Sequence, residues 1–312
     1  MIARNLAEAV GFKPCALSIG NFDGLHRAHR RLLETTVEAA RDAGVRPAVL
    51  MFDPHPSCVV APERAPRLLT SVEERCELIR EQGIENILVQ PFTTQLAQLT
   101  PEEFARQFLH DGLDVRVVVV GENFRFGCKQ AGDTQTLKEL GASLEFEVRL
   151  LETVRWRGRR VSSGEVRKLV LEGNVAMAAR LMQRPHSITG DIVPGHGVGS
   201  KQTVPTLNLR TDAQVIPADG VYVTRTSDLD GDRRWNSITN IGHRPTFGAG
   251  DPLSIETFLL DPLADPTPAA IRLEFLRRVR AERKFESPEA LKAQILKDVG
   301  RAKAYFRRVR LP

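Results

Sequence analysis

The sequence predicts an α/β protein in two parts: a doubly wound parallel sheet over residues 1–184, then a small antiparallel barrel with a terminal helix over residues 185–312. Three observations carry this prediction. Strand-like and helix-like patterns alternate through the first part. Val117-Val118-Val119-Val120 is apolar on both faces, as a central strand of a parallel sheet must be. After Arg184-Pro185 the alternation stops and short strands follow, separated by Gly, Pro and Asp.

Taken in order, Cys15–Ile19 reads as a buried strand. His26 then opens a periodic helix with Leu32, Leu33, Val37 and Ala40 on one face. Strands are expected at 45–52, 86–90, 115–121 and 143–150. Helices are expected to begin near Ser71, Pro101 and Asp133, with Thr70 or Ser71 and Thr100 as N-caps. Two further helices, near 164–172 and 175–182, close the first part. Six strands are expected in the second part, at 187–194, 206–210, 220–226, 235–241, 254–260 and 270–280. A final amphipathic helix runs to about Arg308, with Ser287 as its cap and Pro288 at its first position.

Composition narrows the class. Hydrophobic residues make up 42% and charged residues 27% of 312, the balance of an ordinary globular protein. A formal charge of +5 does not argue for nucleic acid. The basic excess falls late, with 13 Lys/Arg against 5 Asp/Glu in residues 271–312, and reads as a solvated helix face before an anion-attracting one. Cys15, Cys58, Cys76 and Cys128 are too widely spaced for a zinc ribbon or a disulfide scaffold. With no signal-peptide core and no long apolar run, the expected location is the cytoplasm.

Residues 19–29 read Ile-Gly-Asn-Phe-Asp-Gly-Leu-His-Arg-Ala-His. Gly20 and Gly24 permit a sharp exit from the strand. Exposed N–H groups at the following helix start attract anions, and His26 and His29, one turn apart on one face, can stabilise a polyphosphate leaving group. Asp23, His26 and His29, with Asp53 and His55, could instead be ligands of a metal hydrolase. His-x-x-His, however, lacks the i, i+4 spacing and the intervening glutamate of H-E-x-x-H. Histidines merely capping a turn are the bland alternative. Two later segments fit phosphate chemistry: 120–127, Val-Gly-Glu-Asn-Phe-Arg-Phe-Gly, after the central strand, and 161–167, Val-Ser-Ser-Gly-Glu-Val-Arg, at a helix start.

In this order the three segments resemble the H-x-G-H, V-G-x-D/N-F-x-F-G and I-S-S-T-x-I-R motifs of bacterial bifunctional riboflavin kinase/FAD synthetases. The resemblance implies a Rossmann-like nucleotidylyltransferase domain in which Gly20, Phe22, Asp23, Gly24, Asn123, Ser162 and Ser163 bind the nucleotide and its phosphates. It also implies that His26, His29 and Arg167 stabilise departing pyrophosphate. Two residues depart from the pattern: Ala28 replaces the glycine before the second histidine, and Gly164 replaces the threonine.

In the second part, Gly195-His-Gly-Val-Gly-Ser-Lys201 has a P-loop flavour, but its residue order is wrong and no parallel strand precedes it. Val204-Pro-Thr-Leu-Asn-Leu209 resembles the P-T-A-N motif of the same family. A Thr206 hydroxyl and an Asn208 carbonyl two apart on a strand would share a face and offer hard oxygens to Mg²⁺; a polar strand face with satisfied hydroxyls is the alternative. Asn240–Phe247 resembles N-I-G-x-R-P-T-F, and 254–261 resembles the strand carrying the family's catalytic glutamate, here Glu256. The closing strand and helix match over 275–306. Gly197 and Gly199 fall in the nucleotide-binding flap, which departs from the family at Ser200, Thr203 and Val204.

The resemblance implies an ATP-dependent transferase that phosphorylates riboflavin to FMN with Mg²⁺ and adenylylates FMN to FAD, without nucleic-acid or membrane partners. Three alternatives remain. One is a riboflavin kinase with a weakened or lost adenylyltransferase site. Another is a nucleotidylyltransferase for a different phosphate acceptor. The third is a flavin-binding protein without catalysis.

Overall fold

Strands that are apolar on both faces must be covered by helices on both sides, and the first unit is built that way. The computed structural model describes residues 1–194, 206–243, 253–263 and 267–309. The chain divides into two units, Met1–Ser163 and Gly164–Pro312.

The first unit runs β1 (Ile2–Ala3), β2 (Cys15–Ile19), α1 (Arg27–Ala43), β3 (Arg46–Asp53), α2 (Pro56–Val60), α3 (Val72–Arg80) and β4 (Asn86–Pro91). It continues through α4 (Thr94–Ala97), α5 (Pro101–Phe104) with a π-helical extension over Ala105–Gly112, β5 (Val115–Gly121), α6 (Thr134–Ser143) and β6 (Glu147–Leu151). The six strands lie in the order β1-β4-β3-β2-β5-β6, and every pairing is parallel. The chain moves outward from β2 in one direction through β3 and β4 and in the other through β5 and β6. The crevice beyond the carboxyl end of β2 is therefore the switch point where such sheets take ligands.

Both faces are covered. Leu32, Leu33 and Ala40 of α1 with Cys76 and Ile79 of α3 pack one side. Phe104, Phe108 and Leu137 pack the other. The expected caps form at Ser71, which accepts from the Glu74 N–H, and at Thr100, which makes a reciprocal capping box with Glu103; Asp133, expected only as a helix start, is itself the cap of α6 and accepts from the Gln135 and Thr136 N–H groups. The strand expected over 143–150 is shorter. Helix α6 includes Ser143, because Leu144 N–H closes on Leu140 O and Phe146 N–H closes on Gly141 O; the sheet resumes only at Glu147. A short arginine-rich hairpin, β7 (Arg155–Trp156) with β8 (Arg159–Arg160), was not expected.

Helix α7 (Ser163–Leu171) starts on the last residue of the first unit, and the second unit continues with α8 (Val175–Met182) and the strands β9 (His186–Val193), β10 (Leu207–Arg210), β11 (Gly220–Asp228), β12 (Arg234–His243), β13 (Leu253–Leu259) and β14 (Ala270–Ala281). These close into the expected antiparallel barrel, in the order β10-β13-β12-β11-β14-β9. Alternate residues point inward: Ile188, Leu209, Tyr222, Ile241, Ile255, Leu273 and Phe275 form one core. Five fully buried hydroxyls join it as a ladder. Thr226 meets Ser237 at 2.8 Å, Ser237 meets Thr224 at 2.8 Å, Thr224 meets Thr239 at 2.8 Å, and Thr239 meets Thr257 at 2.9 Å. On the outer face Val221, Val223, Ile238 and Leu276 pack with Ala302 of α9 (Pro288–Arg308), which Ser287 caps as expected.

Candidate functional site

The first unit gathers functional groups at the carboxyl end of β2. Phe22, Gly24 and Leu25 all have positive φ (51°, 75° and 31°), so the chain turns sharply before α1. Gly24 is obligatory, since a Cβ there would stand 2.7 Å from Leu69 Cδ1 as well as in a left-handed conformation. Asp23 is buried, and its Oδ1 accepts from the Leu69 N–H (2.9 Å), the Thr70 N–H (3.1 Å) and the Thr70 hydroxyl (3.2 Å). Thr70 Oγ1 accepts in turn from the Gly24 N–H at 3.0 Å. Arg75 of α3, also buried, donates to the Asn21 carbonyl at 2.9 Å. Gly20 donates its N–H to Leu50 O at 3.1 Å. Phe22 is wholly buried, its ring 5.3 Å from that of His29.

His26 is the N-cap of α1, its Nδ1 accepting from the His29 N–H at 3.3 Å. In the neutral ring that leaves the proton on Nε2, which lies 3.4 Å from Ser163 Oγ. Ser163 Oγ donates to the Asp23 carbonyl at 2.9 Å. The two imidazoles are stacked with centroids 3.7 Å apart. Burial pushes the His26 pKa down to about 4. Burial, then the neighbouring His26 and Arg75, hold His29 well below the usual imidazole value. Both rings are therefore neutral near pH 7 and can offer N–H donors rather than positive charge. His29 Nδ1 is buried without a hydrogen-bond partner among the described residues.

Asn123 is exposed after β5, with Nδ2 3.4 Å from Thr153 Oγ1, and the adjacent Glu122 Oε1 accepts from the Thr153 N–H at 3.1 Å. Ser162 is half-buried immediately before α7, and Arg167 is half-buried on α7. The first unit thus brings together Asp23, Gly24, His26, His29 and Ser163 by direct contact.

In the second unit the site is a matter of strand register. Asn208 on β10 stands opposite Glu256 on β13, and Glu256 stands opposite Asn240 on β12, so three polar side chains form one row across the outer barrel face. Ser254 Oγ donates to Glu256 Oε1 at 2.9 Å. Thr206, exposed just before β10, lines the same cavity of about 410 Å³ as Asn240 and Glu256. The far wall comes from α9 and from the segment after β14, through Leu291, Ile295, Glu282 and Phe285. Arg280 at that wall is held by a 2.7 Å bond from Nε to the buried Asp298. Gly197 and Gly199 lie outside the described residues, as do Ser200, Thr203, Val204 and residues 244–247. Sequence reasoning did not single out Arg75, Glu282 or Asp298. Arg75 and Asp298 carry charge inside otherwise amphipathic helices, the one signal by which they could have been found.

Residues 10–165 match a protein family described as FAD synthetase, and residues 182–306 match one described as riboflavin kinase. The chain is 35% identical over 290 residues to the bifunctional riboflavin kinase/FMN adenylyltransferase of Pseudomonas fluorescens, covering 93% of this chain and 92% of that one. It is 35% identical over 302 residues to that of Escherichia coli K12, covering 97% and 96%. The Bacillus subtilis protein of the same name is 32% identical over 300 residues, with 94% and 93% covered. A crystal structure named as a macrolide-efflux protein from Streptococcus pneumoniae matches with a TM-score of 0.86 at 26% identity, covering 97% of this chain and 98% of that one. Among the described residues no helix is long and apolar enough to cross a membrane.

Proposed function

The chain belongs to the bifunctional riboflavin kinase/FMN adenylyltransferase family, and from that premise we propose how its residues divide the two ATP-dependent reactions. Phosphorylation of riboflavin to FMN is assigned to residues 185–312 and adenylylation of FMN to FAD to residues 1–184. The observation that carries the assignment is the pairing of two unlike sites. One is a stacked pair of neutral imidazoles at a helix start, His26 of it buried. The other is a polar row on a barrel face opening into a cavity.

In the kinase step Glu256 takes the proton of the riboflavin 5′-hydroxyl as that oxygen attacks the γ-phosphorus of ATP; ADP leaves in line. Ser254 orients the carboxylate through its bond to Oε1. The donor set beside Glu256 suits Mg²⁺, a hard cation that takes few protein oxygens and keeps phosphate ligands. The Thr206 hydroxyl and the Asn208 side-chain carbonyl would hold it, and it would supply charge neutralisation on the ATP phosphates. In the adenylylation step an FMN phosphate oxygen attacks the α-phosphorus of ATP and pyrophosphate leaves. The N–H groups of His26 and His29 and the Ser162 and Ser163 hydroxyls donate to it, and Arg167 offsets its charge. Gly20, Phe22, Asp23 and Gly24 shape the nucleotide-binding turn, and Asn123 completes it from β5. We place the enzyme in the cytoplasm, with riboflavin, FMN, FAD and ATP rather than nucleic acid or membranes as partners.

The test is a time course. The chain is incubated with riboflavin, ATP and Mg²⁺, and FMN and FAD are separated as they form. FMN should appear first and FAD from it; formation of neither refutes the reading, and FMN alone confines it to the kinase half.

A further inference from the structure

Of the polar groups facing the barrel cavity, Glu282 is one that the mechanism above does not use. It follows the last residue of β14, Ala281, and lines the cavity with Glu256. Its carboxylate is pressed against the backbone of Gly242. A Cβ added at Gly242 would come within 2.6 Å of the Glu282 carboxyl carbon and 2.7 Å of Oε2, with Oε1 nearer still. Gly242 stands opposite Ser254 in the β12–β13 register, and Ser254 is the residue that donates to Glu256. The Glu282 carboxylate is thus stationed over the strand pair that carries the general base.

Two arginines flank Glu282 without neutralising it. Arg280 Nε is directed to Asp298, and Arg283 donates to Gln294 Oε1. Among the described residues Glu282 forms no ion pair, while much of the remaining cavity wall (Ile238, Phe258, Phe285, Leu291) is apolar. An ionised carboxylate can only accept hydrogen bonds. A ligand for this cavity must therefore present an apolar body along the walls and hydrogen-bond donors, not anions, at the Glu282 end. A polyhydroxyl chain on a flat ring system meets that description.

We infer that Glu282 is a specificity-determining residue of the kinase step, accepting hydrogen bonds from the inner hydroxyls of the flavin's polyol chain while Glu256 attends to the terminal one. The inference rests on the riboflavin kinase reading of the cavity. Gly242 is the complementary part: its missing side chain leaves the seat that the carboxylate occupies. An added methyl there meets the far end of a flexible side chain rather than backbone, so Gly242→Ala should fold while displacing Glu282.

The experiment uses the full chain with Glu282→Ala, Glu282→Gln and Gly242→Ala. It measures KM and kcat for riboflavin, and binding of riboflavin and of lumiflavin, in which a methyl group replaces the polyol chain. Losing a hydrogen bond to a charged group should raise the riboflavin KM about 10- to 100-fold in Glu282→Ala. Gly242→Ala should move it in the same direction, Glu282→Gln should fall between, and lumiflavin binding should stay unchanged in all three. Riboflavin KM values within twofold of the unaltered chain in both Glu282→Ala and Gly242→Ala would overturn the inference. So would an equal weakening of lumiflavin binding, which would make Glu282 a mere wall. An unaltered chain that phosphorylates no riboflavin refutes the reading of the cavity itself, a result separate from either of these.

Discussion

The two sites, read as proposed above, would solve the same problem, handling ATP, with opposite physics. The first is assembled mostly from residues close in sequence, and its strength is burial: His26 is 4% exposed and its imidazole is stacked on His29. The second is assembled from residues on separate strands, and its strength is register: Asn208, Glu256 and Asn240 meet only because three strands align. A buried site keeps its groups neutral and gains from low dielectric. An open cavity leaves its carboxylates within direct reach of an incoming ligand. The first should be sensitive to backbone geometry, the second to individual side chains.

Glu256→Gln gives the largest expected effect and the sharpest separation of the sites. FMN formation should fall about 10²- to 10⁴-fold, the usual worth of a positioned general base, while supplied FMN is still converted to FAD. Thr206→Ala and Asn208→Ala should raise the ATP or Mg²⁺ requirement of the kinase step alone. Loss of both activities in a folded variant would show that the sites are not independent.

The buried site tests the comparison differently. Ala28 lies in the first turn of α1, and Gly164 follows Ser163 at the start of α7. If the methyl at 28 crowds the approach to the turn and glycine at 164 forgoes a phosphate-binding hydroxyl, FMN should accumulate before FAD. Restoring both, Ala28→Gly with Gly164→Thr, should speed adenylylation about 10- to 100-fold if the lost contacts are worth about 1.4–2.8 kcal/mol in the transition state. An unchanged rate in a folded protein removes these residues as the cause.

The smallest effect is one of pH. His26 and His186 have pKa values lowered to about 4 by burial, and His29 is lowered in the same way. The unfolded chain takes up these protons near pH 6.5, whereas the folded chain takes up those of His26 and His186 only near pH 4. Stability is therefore fully present above pH 6.5 and is lost as pH falls toward 4. Chemical-denaturation midpoints should decline across that window. Adenylylation, in turn, should show no histidine titration between pH 6.5 and 8; an inflection there would mean that the imidazoles are charged in the working enzyme.

Much of this was legible in the sequence because period and punctuation were strong. The six barrel strands fall within a few residues of their expected places, and Ser287-Pro288 marks the start of α9. Misses came where local signal is weak or contacts are distant. Strands of two residues, as in Arg155–Trp156 and Arg159–Arg160, are too short to show alternation. The π-helical turn over Ala105–Gly112 has the apolar spacing of an ordinary helix. Asp23 reads as one more polar residue in a phosphate loop, yet its Oδ1 is bonded to Leu69 and Thr70, partners that no local pattern joins to it. Glu282 sits beyond the last strand with no periodicity around it; only the seat at Gly242 makes it visible.

The hydroxyl ladder inside the barrel bears on the reaction outside it. Because neighbouring residues on a strand point to opposite faces, Thr257 looks inward where Glu256 looks outward, and Thr239 looks inward where Asn240 looks outward. A one-residue slip of β13 along β12 would turn Thr257 out and drive Glu256 into the apolar interior. A two-residue slip toward Ile241 would leave the Thr257 hydroxyl buried beside a side chain that cannot answer it, at about 1–3 kcal/mol. The ladder works as a key cut on the hidden side of the sheet: only the alignment that satisfies it presents the working groups in line. The alignment of the outer row is thereby checked during folding, by residues on the buried face of the sheet.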